Sequence, residues 1–431
     1  MSLTVALLLT VVVASSPDLL EQAPESGERS TSDSPDDGDA PKRSQPDPDP
    51  EPTPQWIAAW GASPEVRHVA AADSSVRNIA RISVTGTEVR VRIANPRENE
   101  PPLNVGSATV ALQLGSVGAD VVPGTMTELT FDGRPGIVVA PGTDAVYSDP
   151  VDFPVVANEN LAVTLYLPQS VNPDVGGGQW NTSYATAAGA GDKSGETAGS
   201  VFTTTSDATY ALTAVDVLST DANGAVIGFG SSTLHGSNST RDGYDRVLDL
   251  LITRIQDEVP AGNRKGIVGA GHGGDTLHDA VRRLDRDALS QSGVSDIVVW
   301  ATNDLASRTA EQIIEDFETV IKRSHAGGVQ VFCPTWMPAA QSLGARDDLT
   351  QLNQWISTSG RCDGTVDWDR TVRDETDRSA FAPEFYSDGI HPNAAGHAAL
   401  SAATPLRWFA GPATSVNYPS GRLTAALSSI R

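Results

Sequence analysis

From residue 56 to about residue 220, apolar and polar positions alternate in short runs. Ile82 and Val84, then Val89, Val91 and Ile93 with Arg90 and Arg92 between them, flank a turn-forming Thr85-Gly86-Thr87. That two-residue period predicts a half-buried hairpin. Further strands are predicted around residues 109–114, 136–140, 161–167 and 210–218, each bounded by Gly, Pro or Asp. Many short strands with no helical pattern between them predict an all-β sandwich or jelly roll over residues 55–220.

After Asn223 the pattern changes to an apolar strand followed by an amphipathic helix, repeated about five times. Strands are predicted at residues 225–230, 266–270, 296–301, 329–333 and 365–368. Helices are predicted between them, for example at 244–257 and 310–325, where apolar residues recur every three or four positions. Near-continuous Val and Ile runs alternating with helices predict an α/β domain with a doubly wound parallel sheet over residues 221–431. In such sheets the reactive side chains gather at the carboxyl ends of the strands.

The N-terminal stretch reads differently. Residues 3–14 are an apolar run ending in Val13, Ala14, Ser15 and Ser16, which predicts an export signal over residues 1–16. The run is short for a membrane span. No Lys or Arg precedes it, which makes the signal a weak one, and an uncleaved N-terminal anchor is its main competitor. Residues 17–54 are rich in Pro, Asp, Glu and Ser and cannot bury enough apolar area to offset their ordering entropy, which predicts an acidic linker. The expected location is secreted or cell-surface, with membrane contact only through the N-terminal segment.

Charge narrows the partners. With 30 Lys and Arg against 54 Asp and Glu, the formal net charge is -24. Binding a phosphate backbone needs clustered cations, so nucleic acid is excluded as an expected partner. Cys333 and Cys362 are the two cysteines. One disulfide and two buried thiols both fit them, and neither belongs to a zinc-type CxxC pair.

Four segments sit where the parallel sheet would place chemistry. Gly228-Phe229-Gly230-Ser231-Ser232-Thr233-Leu234-His235-Gly236 follows the first strand, where a serine at a helix entrance presents its hydroxyl outward and its N–H toward a developing oxyanion. Gly269-Ala270-Gly271-His272-Gly273-Gly274-Asp275-Thr276 follows the second and allows close backbone approach. Trp300-Ala301-Thr302-Asn303-Asp304 follows the third; Asn303 offers a side-chain amide, although an Asn-Asp pair would also cap the segment that follows. Ser387-Asp388-Gly389-Ile390-His391-Pro392-Asn393 precedes a final Ala-rich helix, with Asp and His spaced so that the carboxylate can fix the imidazole tautomer. Each segment alone also reads as an ordinary turn or surface loop.

Together they resemble the SGNH (GDSL-like) hydrolase superfamily over roughly residues 223–405. The resemblance implies a flavodoxin-like doubly wound sheet and a serine esterase needing no cofactor and no metal. Ser232 matches the nucleophile, with Gly236 four residues on; Asp388 and His391 match DxxH. Gly274 and Asn303 match the oxyanion-hole residues, joined there by the Ser232 N–H. Two positions depart from the family: Ser231 stands for the Asp of GDS and Ala301 for the Gly of GxND. The β-rich region, opening Trp56-Ile57-Ala58-Ala59-Trp60-Gly61-Ala62-Ser63-Pro64, is similar to the accessory domain of some secreted actinobacterial and fungal members. His235, His272 and His278 cluster with Asp275, but their spacing matches no standard metal motif. His272, beside Gly274, is instead the candidate substrate contact. Export and the resemblance imply an ester substrate carrying a short acyl group on carbohydrate or cell-envelope glycan. A lipase is a lesser alternative, since no segment reads as an apolar lid. The rival from another class is a non-catalytic glycan-binding surface protein in which Ser231 and Ala301 mark a lost active site. Oligomeric state is not legible.

Overall fold

The computed structural model describes residues 53–67, 72–169, 174–177, 180–338 and 346–410. The expected signal and nearly all of the expected linker lie outside them. The described residues fall in one compact unit, and among them no helix is long and apolar enough to cross a membrane.

The N-terminal part is built of antiparallel strands. One sheet runs in the order Gln55–Gly61, Leu212–Ser219, Gly86–Asn95, Val151–Val155, with Thr143–Tyr147 also paired to Gly86–Asn95. A second runs Thr204–Ser206, Ser183–Ala185, Ser74–Arg81, Asn160–Leu167, Ser107–Leu112, Thr127–Leu129. The expected hairpin across Thr85-Gly86-Thr87 does not form. Ser74–Arg81 pairs with Asn160–Leu167 and Gly86–Asn95 pairs with Leu212–Ser219, so the two strands belong to different sheets. Ile82 and Val84 lie in the crossing between the sheets and are wholly buried. The alternating Arg90 and Arg92 do not face water either. Arg90 pairs with buried Asp216 and donates to Ser292 Oγ at 3.0 Å, while buried Arg92 donates to Thr213 Oγ1 at 3.1 Å and to the Arg286 carbonyl at 2.9 Å.

The C-terminal part contains a five-stranded parallel sheet: β1 (Ala222–Gly230), β2 (Arg264–Gly271), β3 (Val294–Trp300), β4 (Gln330–Pro334) and β5 (Gly364–Val366). Their spatial order is 2-1-3-4-5, all parallel, as in flavodoxin-like sheets. The helices are α1 (Ser232–His235), α2 (Val247–Glu258), α3 (Leu277–Leu284), α4 (Ala310–Ala326), α5 (Arg346–Thr358), α6 (Trp368–Val372) and α7 (Ala394–Ala403). Capping boxes start α3 at Thr276 and α4 at Thr309, satisfying first-turn N–H groups reciprocally. Residue 368, expected to end the last strand, instead opens α6. Cys333 on β4 and Cys362 just before β5 form a disulfide, which settles the two readings of these residues.

The parts share one hydrophobic core, from Ile57 and Val217 through Phe229 and Val268 to Trp300 and Phe317. The edge strand β2 is covered by the antiparallel part: Ser83 Oγ accepts from the Ile267 N–H at 2.8 Å. A side chain at Gly266 would collide with the Ala58 carbonyl, so the two chains run in backbone contact there.

Candidate active site

The site begins at the end of β1. Gly230 has φ +146, and a Cβ there would overlap the Trp300 carbonyl, so only glycine lets the chain leave the strand at this angle. The Ser231 N–H then bonds the same carbonyl at 3.1 Å and Ser232 opens α1. Gly236 ends that single turn in the left-handed region, φ +106, packed against the Arg246 side chain.

Ser232, though 159 residues from His391 in sequence, meets the DxxH loop. Its Oγ lies 2.7 Å from His391 Nε2, and His391 Nδ1 lies 2.8 Å from Asp388 Oδ2. An ionised carboxylate only accepts, so Nδ1 carries a proton; in the neutral ring Nε2 is then bare and accepts from the Ser232 hydroxyl. Asp388 Oδ1 accepts the Ile390 and His391 N–H groups at 3.0 and 2.8 Å. Partial burial would raise the Asp388 pKa; the hydrogen bonds from the His391 ring, the His391 N–H and the Ile390 N–H outweigh it and hold the carboxyl well below its usual range. Asp388 therefore stays ionised.

The oxyanion donors expected from the sequence keep hydrogens to give. As the first helical residue, Ser232 has an N–H with no intrahelical acceptor, and among the described residues neither it nor the Gly274 N–H is bonded. Gly274 has φ +81 and open space where a Cβ would sit. Asn303 spends one amide hydrogen on the Asp275 carbonyl at 2.9 Å, leaving the second.

Several residues that hold this geometry carry no signal by pattern. Buried Arg283 donates to Asp275 Oδ2 at 2.7 Å, to the Gly230 carbonyl at 2.6 Å and to Ser63 Oγ at 3.2 Å, tying the Gly274 turn, the serine strand and the antiparallel part together. Asp304 does not cap the segment after it with its carboxylate, as the sequence alternative had it. The carboxylate accepts the Leu277 N–H at 2.6 Å, capping α3, and burial pushes its pKa up to about 6. Only the adjacency of Asn303 and Asp304 hinted at it. The Ser231 hydroxyl is fully buried and has no partner among the described residues.

The histidines separate. His272 Nδ1 lies 2.7 Å from Asp275 Oδ1, near enough to pair but not aligned for a hydrogen bond, and its ring remains partly exposed near the Gly274 turn. His278 turns to Asp316 at 3.2 Å. His235 packs edge-on to Trp180 and burial pushes its pKa down to about 4. Among the described residues, no three His, Cys, Asp or Glu side chains converge to hold a metal.

Residues 229–399 match the model of the GDSL-like Lipase/Acylhydrolase family. The matched span runs from the end of β1 into α7 and so contains all four chemical segments but for Gly228. Among solved structures, a GDSL-like lipase from Bacteroides thetaiotaomicron VPI-5482 is similar at 19% identity and TM-score 0.33, over 43% of this chain and 89% of its own. A lipolytic G-D-S-L family member from Veillonella parvula DSM 2008 is similar at 15% identity and TM-score 0.35, over 42% and 94%. A variant of an acetyl-xylooligosaccharide esterase from Geobacillus is similar at 13% identity and TM-score 0.35, over 44% and 95%. A search of curated proteins found no match.

Proposed function

We propose that the chain is a serine esterase that hydrolyses carboxylic esters through an acyl-enzyme. One observation carries this: the hydrogen-bonded line from Ser232 Oγ through His391 to Asp388, closed at the mouth of the parallel sheet. Ser232 Oγ attacks the ester carbonyl while His391 Nε2 takes its proton; Asp388 stabilises the resulting imidazolium. The tetrahedral oxygen is received by the Ser232 and Gly274 N–H groups and the free Asn303 amide hydrogen. His391 returns the proton to the leaving alcohol, and water then repeats the sequence on the acyl-enzyme.

The substrate is a short acyl group on carbohydrate or cell-envelope glycan. Polar groups around the serine support this reading, with partly exposed His272 as a substrate contact and Asn303 and Asp388 nearby. Export to a secreted or cell-surface location is supported by the Cys333–Cys362 bond, since such bonds persist in oxidising compartments. The antiparallel region serves as an accessory domain.

Hydrolysis of p-nitrophenyl acetate, butyrate and octanoate by residues 55–431 tests the activity and its acyl length. Turnover and fluorophosphonate labelling are expected from the wild type, with both lost in Ser232→Ala. Folded wild type that neither turns over nor takes the label would sink the esterase reading in favour of a glycan-binding protein.

A further inference from the structure

The catalytic aspartate is poorly enclosed. Its side chain is 47% exposed, so burial alone does not hold the carboxylate in line with His391. Two of its fixed partners come from its own loop. The third comes from elsewhere: Asn238 Nδ2 donates at 2.8 Å to Asp388 Oδ2, the same oxygen that accepts the hydrogen bond from His391 Nδ1–H.

Asn238 is held at a cost. It sits in the left-handed region, φ +66, in a loop where Asp242 and Tyr244 are also left-handed, φ +55 and +52. Three such non-glycine residues persist only where the surroundings over-determine them. The surroundings are the antiparallel part. Thr182 donates its N–H to Asp242 Oδ1 and its hydroxyl to Asp242 Oδ2, both at 2.6 Å, while the Asp242 N–H returns to the Trp180 carbonyl at 3.1 Å. Trp180 Nε1 donates to the Ser239 carbonyl at 2.8 Å, one residue from Asn238. At the far end of the loop, the Tyr244 hydroxyl accepts from Asn160 Nδ2 at 2.7 Å and its ring lies under the Arg81 guanidinium.

We infer that Asn238 is a positioning residue for Asp388, and that the Trp180–Thr182 turn of the antiparallel part sets its place. The N-terminal region thereby completes the acid end of the triad. The inference rests on the esterase reading for its kinetic consequence but not for its geometric one.

The test uses residues 55–431 with Asn238→Gly, Asn238→Asp and Thr182→Val. Glycine keeps the left-handed backbone and removes the amide. Aspartate is nearly isosteric, tolerates the left-handed region and cannot donate. On p-nitrophenyl acetate, N238G is expected to lower kcat about 10-fold with KM within about twofold, as for lost orientation rather than lost binding. N238D should lower kcat further because it sets a second carboxylate against Asp388, and T182V should lower it in the same direction by less. The low-field proton resonance of His391 Nδ1–H reads the geometry directly; it should shift or broaden in N238G while circular dichroism is unchanged. Unaltered kcat together with an unaltered low-field resonance in N238G and N238D would overturn the inference. Should either N238 variant fail to fold, T182V decides by the same two readouts. A wild type with the resonance but no turnover would count against the esterase reading alone.

Discussion

Ser231 and Ser232 are neighbours with opposite surroundings, and the difference sets what each substitution does. Ser232 Oγ has a histidine acceptor at 2.7 Å; Ser231 Oγ is buried with no partner among the described residues. A buried hydroxyl left unbonded costs roughly 1–3 kcal/mol, so replacing it by a methyl removes a penalty rather than a contact. Ser231→Ala is therefore expected to keep esterase activity within about twofold and to raise stability by up to about 1 kcal/mol. A urea midpoint raised at constant slope would show it; a loss of turnover like that of Ser232→Ala would mean that Ser231 has a part in the reaction. Gly230 lies at the opposite limit. Its φ of +146 and the overlap of any Cβ with the Trp300 carbonyl leave Gly230→Ala no relaxed place. That variant should lose at least about 3 kcal/mol and turnover with it.

At the scale of elements, α7 is tied to α2 and to the loop after α1 through a histidine that the reaction does not use. His397 is wholly buried; its Nδ1 accepts the Val247 N–H at 3.3 Å and its Nε2 donates to the Ser237 carbonyl at 3.1 Å. That pattern requires the neutral ring, and burial pushes its pKa down to about 4. The unfolded chain takes up this proton near pH 6.5 and the folded one only near 4. Stability is therefore fully present above pH 6.5 and falls as pH drops toward 4, by of order 3 kcal/mol for this one group. His235, similarly depressed, adds to the same window. Unfolding titrations between pH 7 and 4.5 should show this slope, and His397→Gln, which keeps an amide donor, should show roughly half of it at lower stability. An unchanged slope in the variant would remove His397 from the account. The elements themselves were legible to different degrees. The parallel strands stood out because burial on both faces makes continuous apolar runs, and the four chemical segments because each falls at a strand end. The hairpin at Gly86 was misread because Arg90 and Arg92 alternate as a solvent face would, whereas they line the junction with the parallel part. Asn238, Arg283 and Trp180 were illegible because their roles depend on partners across the fold, and no local spacing encodes those.

Over the whole molecule, the disulfide and the shared core decide how the protein unfolds. The Cys333–Cys362 bond closes a separation of 29 residues, and a loop of that size restricts the unfolded chain by roughly 3–4 kcal/mol. A reductant, or Cys333→Ala with Cys362→Ala, should lower stability by about that amount. The parallel-sheet part also depends on the antiparallel part. Its edge strand β2 is covered by the Gln55–Gly61 strand and by Ser83, with the Ala58 N–H bonded to the Ser292 carbonyl at 2.9 Å and Gln256 to the Ser83 carbonyl at 3.1 Å. Arg92 and Arg283 close the same junction with buried polar bonds. Removing residues 55–220 would expose the apolar side chains that packed there and strand Arg283, an uncovered edge strand being itself prone to pairing with other chains. Residues 55–431 are thus expected to melt in one transition, and residues 221–431 alone to lack native near-ultraviolet circular dichroism and to aggregate. Two separate transitions in the longer chain, or a native-like spectrum from the shorter one, would mean two independent cores. Covalent separation of the two parts would then leave the serine, histidine and oxyanion donors intact while removing the Trp180–Thr182 support for Asp388.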